Sequence, residues 1–433
     1  MAGGSRFDRH EPPHYRRQRV PIDDASSREA RGRCSQVSAG KSRSRLCRCK
    51  PDGVLYQGQR AVPGAAEALR SLRRHNVRYV FLTNGGGKHE TAKVKSLSQC
   101  LGLEPGEDLI HNRVIQSHTP MRGWDDALKE QATILITGAN PDVARKVALD
   151  YGFNKVVTPA DIIAANDKVY PFDGLRSSLH SHVQPLPDGK QVSSSIDPYG
   201  RDIPPGTLKI DKIFVWNDPR DWSLDIQVIY DLLVSHQGYY GTVSAKNGDR
   251  SLPNAGWQQD GQPELWMSNL DLFWKTEWPV NRYGTGAFLE ALRGVWAAST
   301  GGAQLRYEAL GKPLRRTYDY AHDRLLHHAP AEAESEAETG GRGARRRALR
   351  RVYMIGDNPE SDVRGANEFR PEDGAEWVSI LVRTGVWRPT AGEREPRHRP
   401  VVIVDDVADA VVWALQNEGV PATRAWLTSG GQR

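Results

Sequence analysis

The sequence predicts an α/β fold: a parallel-sheet core, interrupted by an inserted second α/β module and preceded by a basic tail without regular structure. Three observations carry this. Residues 77–82 form a short apolar strand that runs through the turn Thr83-Asn84-Gly85-Gly86-Gly87 into a helical stretch at 88–100. Residues 352–355 form a second apolar strand that leads directly into the acidic turn Gly356-Asp357-Asn358-Pro359-Glu360-Ser361-Asp362. Between these two lies a separate group of strand candidates at 134–137, 155–157 and 212–216.

The chain has 433 residues, which suits a large α/β domain plus one more module. Residues 1–49 are rich in Arg, Ser and Pro, show no helical or strand period, and read as disordered. Residues 1–50 hold 13 Lys/Arg against 5 Asp/Glu, so the net charge of +6 resides in that tail. The folded part carries no basic excess, and no nucleic-acid partner is expected. No run of about 18 apolar residues occurs, so no membrane span is expected either. Of the four cysteines, Cys34, Cys47, Cys49 and Cys100, three lie in the tail, and their spacing fits neither a zinc site nor a disulfide framework. An Arg- and Ser-rich start is compatible with a mitochondrial presequence, but its five acids count against one.

From Gly53 the texture changes. Ala65, Ala68, Leu69 and Leu72 recur at helical spacing, and strand 77–82 follows. The core's first part is placed at 50–125, the insert at 126–283 and the second part at 284–420. Within the insert, 174–208 reads as a long loop rich in Ser, Pro, Gly and His. Phe288, Leu289, Leu292 and Trp296 mark one side of a helix at 286–296. Residues 329–351 are low in complexity, with acids followed by arginines, and read as a solvated insertion. Strands at 352–355, 377–382 and 401–404 and a helix at 407–415 complete the pattern.

The strongest chemical signal is the pair Asp357 and Asp362. A strand delivers the first to the carboxyl edge of a parallel sheet, where open α/β folds place ligands. Two carboxylates on one such turn can face a hard cation such as Mg²⁺. Thr83, Asn84 and Gly85 offer a hydroxyl and backbone N–H groups suited to phosphate oxygens. Lys312, fixed between Gly311 and Pro313, can present positive charge to a phosphoryl group. Asp52 opens a fourth element, Asp52-Gly53-Val54-Leu55-Tyr56. A dinucleotide turn at Gly138-Ala139-Asn140 is a poor alternative, because Pro141, Asp142 and Ala144 replace its later glycines.

In this order, the four elements resemble the haloacid dehalogenase (HAD) superfamily of hydrolases. The match is to class IIA and, within it, to the cat eye syndrome critical region protein 5-like group. Further matching stretches are Ser117-His118-Thr119-Pro120-Met121, Trp266-Met267-Ser268-Asn269-Leu270-Asp271 and the run from Gly356 to Asn367. The resemblance implies a Rossmannoid core with a C2-type cap and Mg²⁺-dependent hydrolysis of a small phosphomonoester. It implies Asp52 as acid and base, Thr83, Asn84, Gly85 and Lys312 around the phosphoryl group, and Asp52, Asp357 and Asp362 around Mg²⁺. The location is expected to be mitochondrial or cytoplasmic; a homodimer through the cap, the mitochondrial option and a link to glycerophospholipid metabolism come from the resemblance alone.

One departure matters. The family's nucleophilic aspartate stands two residues before Asp52, and here that position is Lys50. The residues before it, Ser44-Arg45-Leu46-Cys47-Arg48-Cys49, are not the apolar strand that should carry it. A lysine ammonium repels Mg²⁺ and cannot ligate it, so the covalent phosphatase route is closed to this chain. The alternatives are an inactive ligand-binding protein of the same fold, or a sequence whose first 51 residues replace the genuine ones. Strand and nucleophile vanish together at one boundary, which favours the second.

Overall fold

The computed structural model describes residues 53–58, 60–75, 77–104, 113–200, 202–327, 349–392 and 394–428. The expectations for the tail, for Lys50 and Asp52, and for most of the low-complexity stretch lie outside the described residues. Helix α1, Ala65–Arg74, buries Ala65, Ala68 and Leu69. Strand β1, Phe81–Leu82, helix α2, Glu90–Leu101, and strand β2, Val114–Ile115, follow. β1 pairs with β2 in parallel, Phe81 opposite Val114. The strand expected over 77–82 is thus a ladder at its last two residues only; among the described residues 77–80 have no ladder partner. Cys100 is disulfide-bonded, contrary to the expectation from cysteine spacing.

The middle of the chain builds a five-stranded parallel sheet. Its elements are β3 Thr133–Thr137, α3 Pro141–Asp150, β4 Lys155–Val157, β5 Lys212–Val215, α4 Trp222–Val234, β6 Glu264–Met267, α5 Thr285–Ser299 and β7 Glu308–Ala309. The strand order is β7-β6-β5-β3-β4. Successive side chains of β3 point to opposite faces. Ile134 and Ile136 pack with Ala144, Val147 and Ala148 of α3, while Leu135 packs with Leu224 and Val228 of α4. Burial on both faces explains why these strands read as continuous apolar runs.

The chain was expected to leave this module at residue 284, but the packing continues past it. Phe288, Leu289, Leu292 and Trp296 of α5 join the cluster of α4, and β7 pairs with β6. Within the long loop at 174–208, Leu186, Val192 and Leu208 are buried against the same sheet.

Helix α6, Arg315–His327, leads to the last part of the chain. Strands β8 Arg351–Gly356, β9 Glu376–Val382 and β10 Val402–Val404 form a parallel ladder in that order, and helix α7, Val407–Asn417, packs against it. Among the described residues no helix is long and apolar enough to cross a membrane.

Candidate active site

The turn after β1 carries Thr83 and Asn84, both buried. Thr83 Oγ1 accepts the Gly85 N–H at 2.9 Å, which tightens the turn and fixes the hydroxyl. The Asn84 side chain grips the backbone of Lys312 twice: its Oδ1 accepts the Lys312 N–H at 2.7 Å and its Nδ2 donates to the Lys312 carbonyl at 2.9 Å. Asn84 was expected to hold phosphate. Its amide is instead committed to Lys312, a residue 228 positions away.

Lys312 follows β7 and is buried. Its Nζ lies 2.5 Å from Asp362 Oδ1. The other oxygen of Asp362 accepts the N–H groups of Asp357 and Asn358, each at 3.0 Å. Asp362 was expected to face a cation. Both of its oxygens are engaged within the protein, so it organises the Asp357 turn and neutralises Lys312.

Asp357 leaves the carboxyl end of β8. Its Oδ2 accepts the Val386 N–H at 2.8 Å. Two glycines make room for it. A Cβ on Gly53 would stand 2.2 Å from Asp357 Oδ2, and one on Gly385 would stand 1.9 Å away. Gly53 also has φ +71°, a left-handed conformation that glycine adopts at little cost.

Four polar residues join from segments next to the middle sheet. Asn269 donates to the Asn84 carbonyl at 3.0 Å and to Thr285 Oγ1 at 3.2 Å, and Thr285 Oγ1 donates to Asp218 at 2.7 Å. Asp271 lies beside Lys312 and Asp362, and burial pushes its carboxyl up to about 6, with Lys312 opposing the shift. Burial, followed by the charges of Asp362 and Asp271, raises the Tyr318 hydroxyl well above its ordinary range.

Thr83, Asn84, Gly85, Lys312, Asp357 and Asp362 all line one cavity of about 610 Å³. Six residues expected from separated motifs therefore meet at one rim. The seventh, Asp52, lies outside the described residues. Asp271 was not among the expected site residues, although the segment 266–271 was recognised as a matching stretch. Its proximity to Lys312 is a tertiary fact that spacing does not reveal.

Among the described residues, no group of three His, Cys, Asp or Glu side chains is placed to hold a metal ion. Asp357 Oδ2 accepts the Val386 N–H, and Asp362 is committed to Lys312 and two amides. The described donors alone do not make a magnesium site.

Comparison with known proteins agrees with this geometry. A family model described as haloacid dehalogenase-like hydrolase matches residues 49–154, and one described as HAD-hydrolase-like matches 309–410. A mitochondrial hydrolase of Saccharomyces cerevisiae is 35% identical over 374 residues, covering 84% of this chain and 94% of that protein. A human glycerol-3-phosphate phosphatase is 40% identical over 70 residues, 15% of this chain and 22% of that one. A hypothetical protein from Pyrococcus horikoshii OT3, solved by crystallography, aligns over 84% of this chain and 97% of that chain at 17% identity and a TM-score of 0.48. Similarity at 35% identity along nearly the whole yeast hydrolase, together with the two matched segments that carry the rim, makes this chain a member of the haloacid dehalogenase-like hydrolases.

Proposed function

We propose that this protein carries the phosphoryl pocket of a phosphomonoester hydrolase, and that the chain with Lys50 binds its substrate without turning it over. The observation that carries the reading is the buried Lys312–Asp362 pair, clamped by Asn84 to the Thr83 turn and by backbone amides to the Asp357 turn. A fixed positive charge beside a hydroxyl and turn N–H groups stabilises phosphoryl oxygens.

In this reading Thr83 and the Gly85 turn orient the phosphoryl oxygens, and Lys312 offsets their charge. Asn84 and Asp362 are positioning residues acting through Lys312. In a chain that carries an aspartate at position 50 to attack phosphorus, Asp52 would hand a proton to the departing oxygen. The five-stranded sheet, continuing through Ala309, is the cap that shields the rim from water. Magnesium would neutralise phosphoryl oxygens beside Asp357 in a chain that also supplies an acid at position 50. The yeast relative's description as mitochondrial supports the same location for this protein.

The nucleophile is what Lys50 removes. In another hydrolase, loss of the nucleophile cost on the order of 10⁶ in kcat. Release of p-nitrophenol from p-nitrophenyl phosphate with Mg²⁺ tests the reading. The unmodified chain gives none, whereas Lys50→Asp with an apolar strand restored upstream gives turnover. Normal turnover by the unmodified chain defeats the proposal.

A further inference from the structure

The strand order of the middle sheet reverses between β3 and β5. The chain runs from β3 outward to β4, then back across β3 to β5 and β6. In open α/β sheets, the crevice at such a reversal, outside the carboxyl ends of the two strands, takes the ligand. Here Asn217 fills it. Asn217 follows β5, is buried, and spans the crevice: its Oδ1 accepts the Ala139 N–H, beyond the end of β3, at 3.1 Å. Gly138 makes room for this contact, because a Cβ there would lie 2.3 Å from Asn217 Oδ1.

The other side of Asn217 meets the turn that carries Thr83. A Cβ on Gly87 would stand 2.4 Å from Asn217 Nδ2, and one on Gly86 would stand 2.7 Å from the Trp216 carbonyl oxygen. Gly87 also has φ +77°. Glycine is the residue that permits so close an approach and that conformation. Trp216 is itself fixed. Its carbonyl accepts the Ser268 hydroxyl at 2.7 Å, and its ring stacks on His118 with centroids 4.9 Å apart. The three glycines thus divide their work: Gly85 donates to the Thr83 hydroxyl, while Gly86 and Gly87 are fitted to the end of β5.

We propose that Asn217 is a positioning residue for the phosphoryl pocket, an inference that rests on the phosphoryl reading of the Thr83 turn. Asn217 joins the ends of β3 and β5 and closes over Gly87, so the docked middle sheet holds the Thr83 hydroxyl in place. It acts through the glycine turn and not on the phosphoryl group. The crevice of the middle sheet is a seat for this turn and not a second ligand site. Coupling between two sites is reciprocal. A phosphate that steadies the Thr83 turn must therefore also steady Asn217 and the Ala139 amide bonded to it.

Calorimetric titration of the unmodified chain with inorganic phosphate, followed by amide hydrogen exchange at saturating phosphate, tests this. Exchange of the Ala139 amide should slow at least threefold. The Tyr240 amide, bonded to the Leu208 carbonyl ahead of β5, should not change. Asn217→Ala removes the acceptor of the Ala139 N–H and should bind phosphate at least fivefold more weakly. Gly138→Ala, which displaces the same side chain from behind, should do likewise. Gly294→Ala, where a Cβ meets nothing within 4 Å, should bind as the unmodified chain does. A merely structural Asn217 would lower the melting temperature of its alanine variant and leave phosphate affinity unchanged. Should neither site variant fold, the exchange result on the unmodified chain decides. Absence of phosphate binding by the unmodified chain overturns the phosphoryl reading and this inference with it. Phosphate binding without slowing at Ala139, with equal slowing at Tyr240, or with unchanged affinity in folded Asn217→Ala overturns this inference alone.

Discussion

Lys312 Nζ stands 2.5 Å from Asp362 Oδ1, and both side chains are buried. Two motifs 50 residues apart in sequence are joined at this contact. Removing one partner of a buried pair leaves an uncompensated charge, which costs far more than the pair itself contributes. Asp362→Asn should therefore lower stability by roughly 3–5 kcal/mol, and Lys312→Met/Asp362→Leu by much less. Guanidinium unfolding of the three proteins reads this. A cost below about 1 kcal/mol for Asp362→Asn would mean the contact is not formed.

Asn84 holds Lys312 through two hydrogen bonds of 2.7 and 2.9 Å. Asn84→Ala leaves a buried N–H and a buried carbonyl without that partner, at about 1–3 kcal/mol each. Phosphate affinity should fall with it, since Lys312 loses its anchor. A variant with unchanged stability and unchanged phosphate affinity would contradict the clamp.

Asp357 is crowded from Gly385, where a Cβ would lie 1.9 Å from Oδ2. Gly385→Ala must displace Asp357 or the 385–387 backbone. Overpacking of this kind costs about 1–3 kcal/mol. Thermal melting of Gly385→Ala against an Ala substitution at Gly392, where a Cβ meets nothing within 4 Å, separates the clash from a generic glycine effect.

Asp271 has its carboxyl pushed up to about 6 by burial. A raised acid favours the protonated folded form, so its contribution is present at low pH and is lost as pH rises from about 4 through 6. Asp271→Asn should then match the unmodified chain near pH 4 and exceed it above pH 6, by on the order of 1–3 kcal/mol. Unfolding free energies across that range check the sign; a deficit for Asp271→Asn above pH 6 refutes it.

Much of this was readable before any coordinates. The strands of the middle sheet that alternate between two buried faces, such as β3 and β5, announce themselves as apolar runs. Thr83, Asp357 and Asp362 were found because each follows a strand end with distinctive turn residues, and Lys312 because Gly311 and Pro313 flank it. Short elements were not legible: Val114–Ile115 and Glu308–Ala309 are strands only because a neighbour accepts them. Residues 77–80 failed in the opposite sense, with strand-like composition but no ladder partner among the described residues. The internal partners of Asn84 and Asp362 were not legible for one reason. Sequence shows which polar groups reach a rim, not which of them are consumed by each other there.

Calorimetric titration with inorganic phosphate tests the pocket most directly. The unmodified chain should bind phosphate, and Lys312→Met/Asp362→Leu, which keeps the buried site neutral, should bind it at least tenfold more weakly, about 1.4 kcal/mol. Equal affinity in the two folded proteins would contradict the assignment of Lys312 and its neighbours to a phosphoryl group.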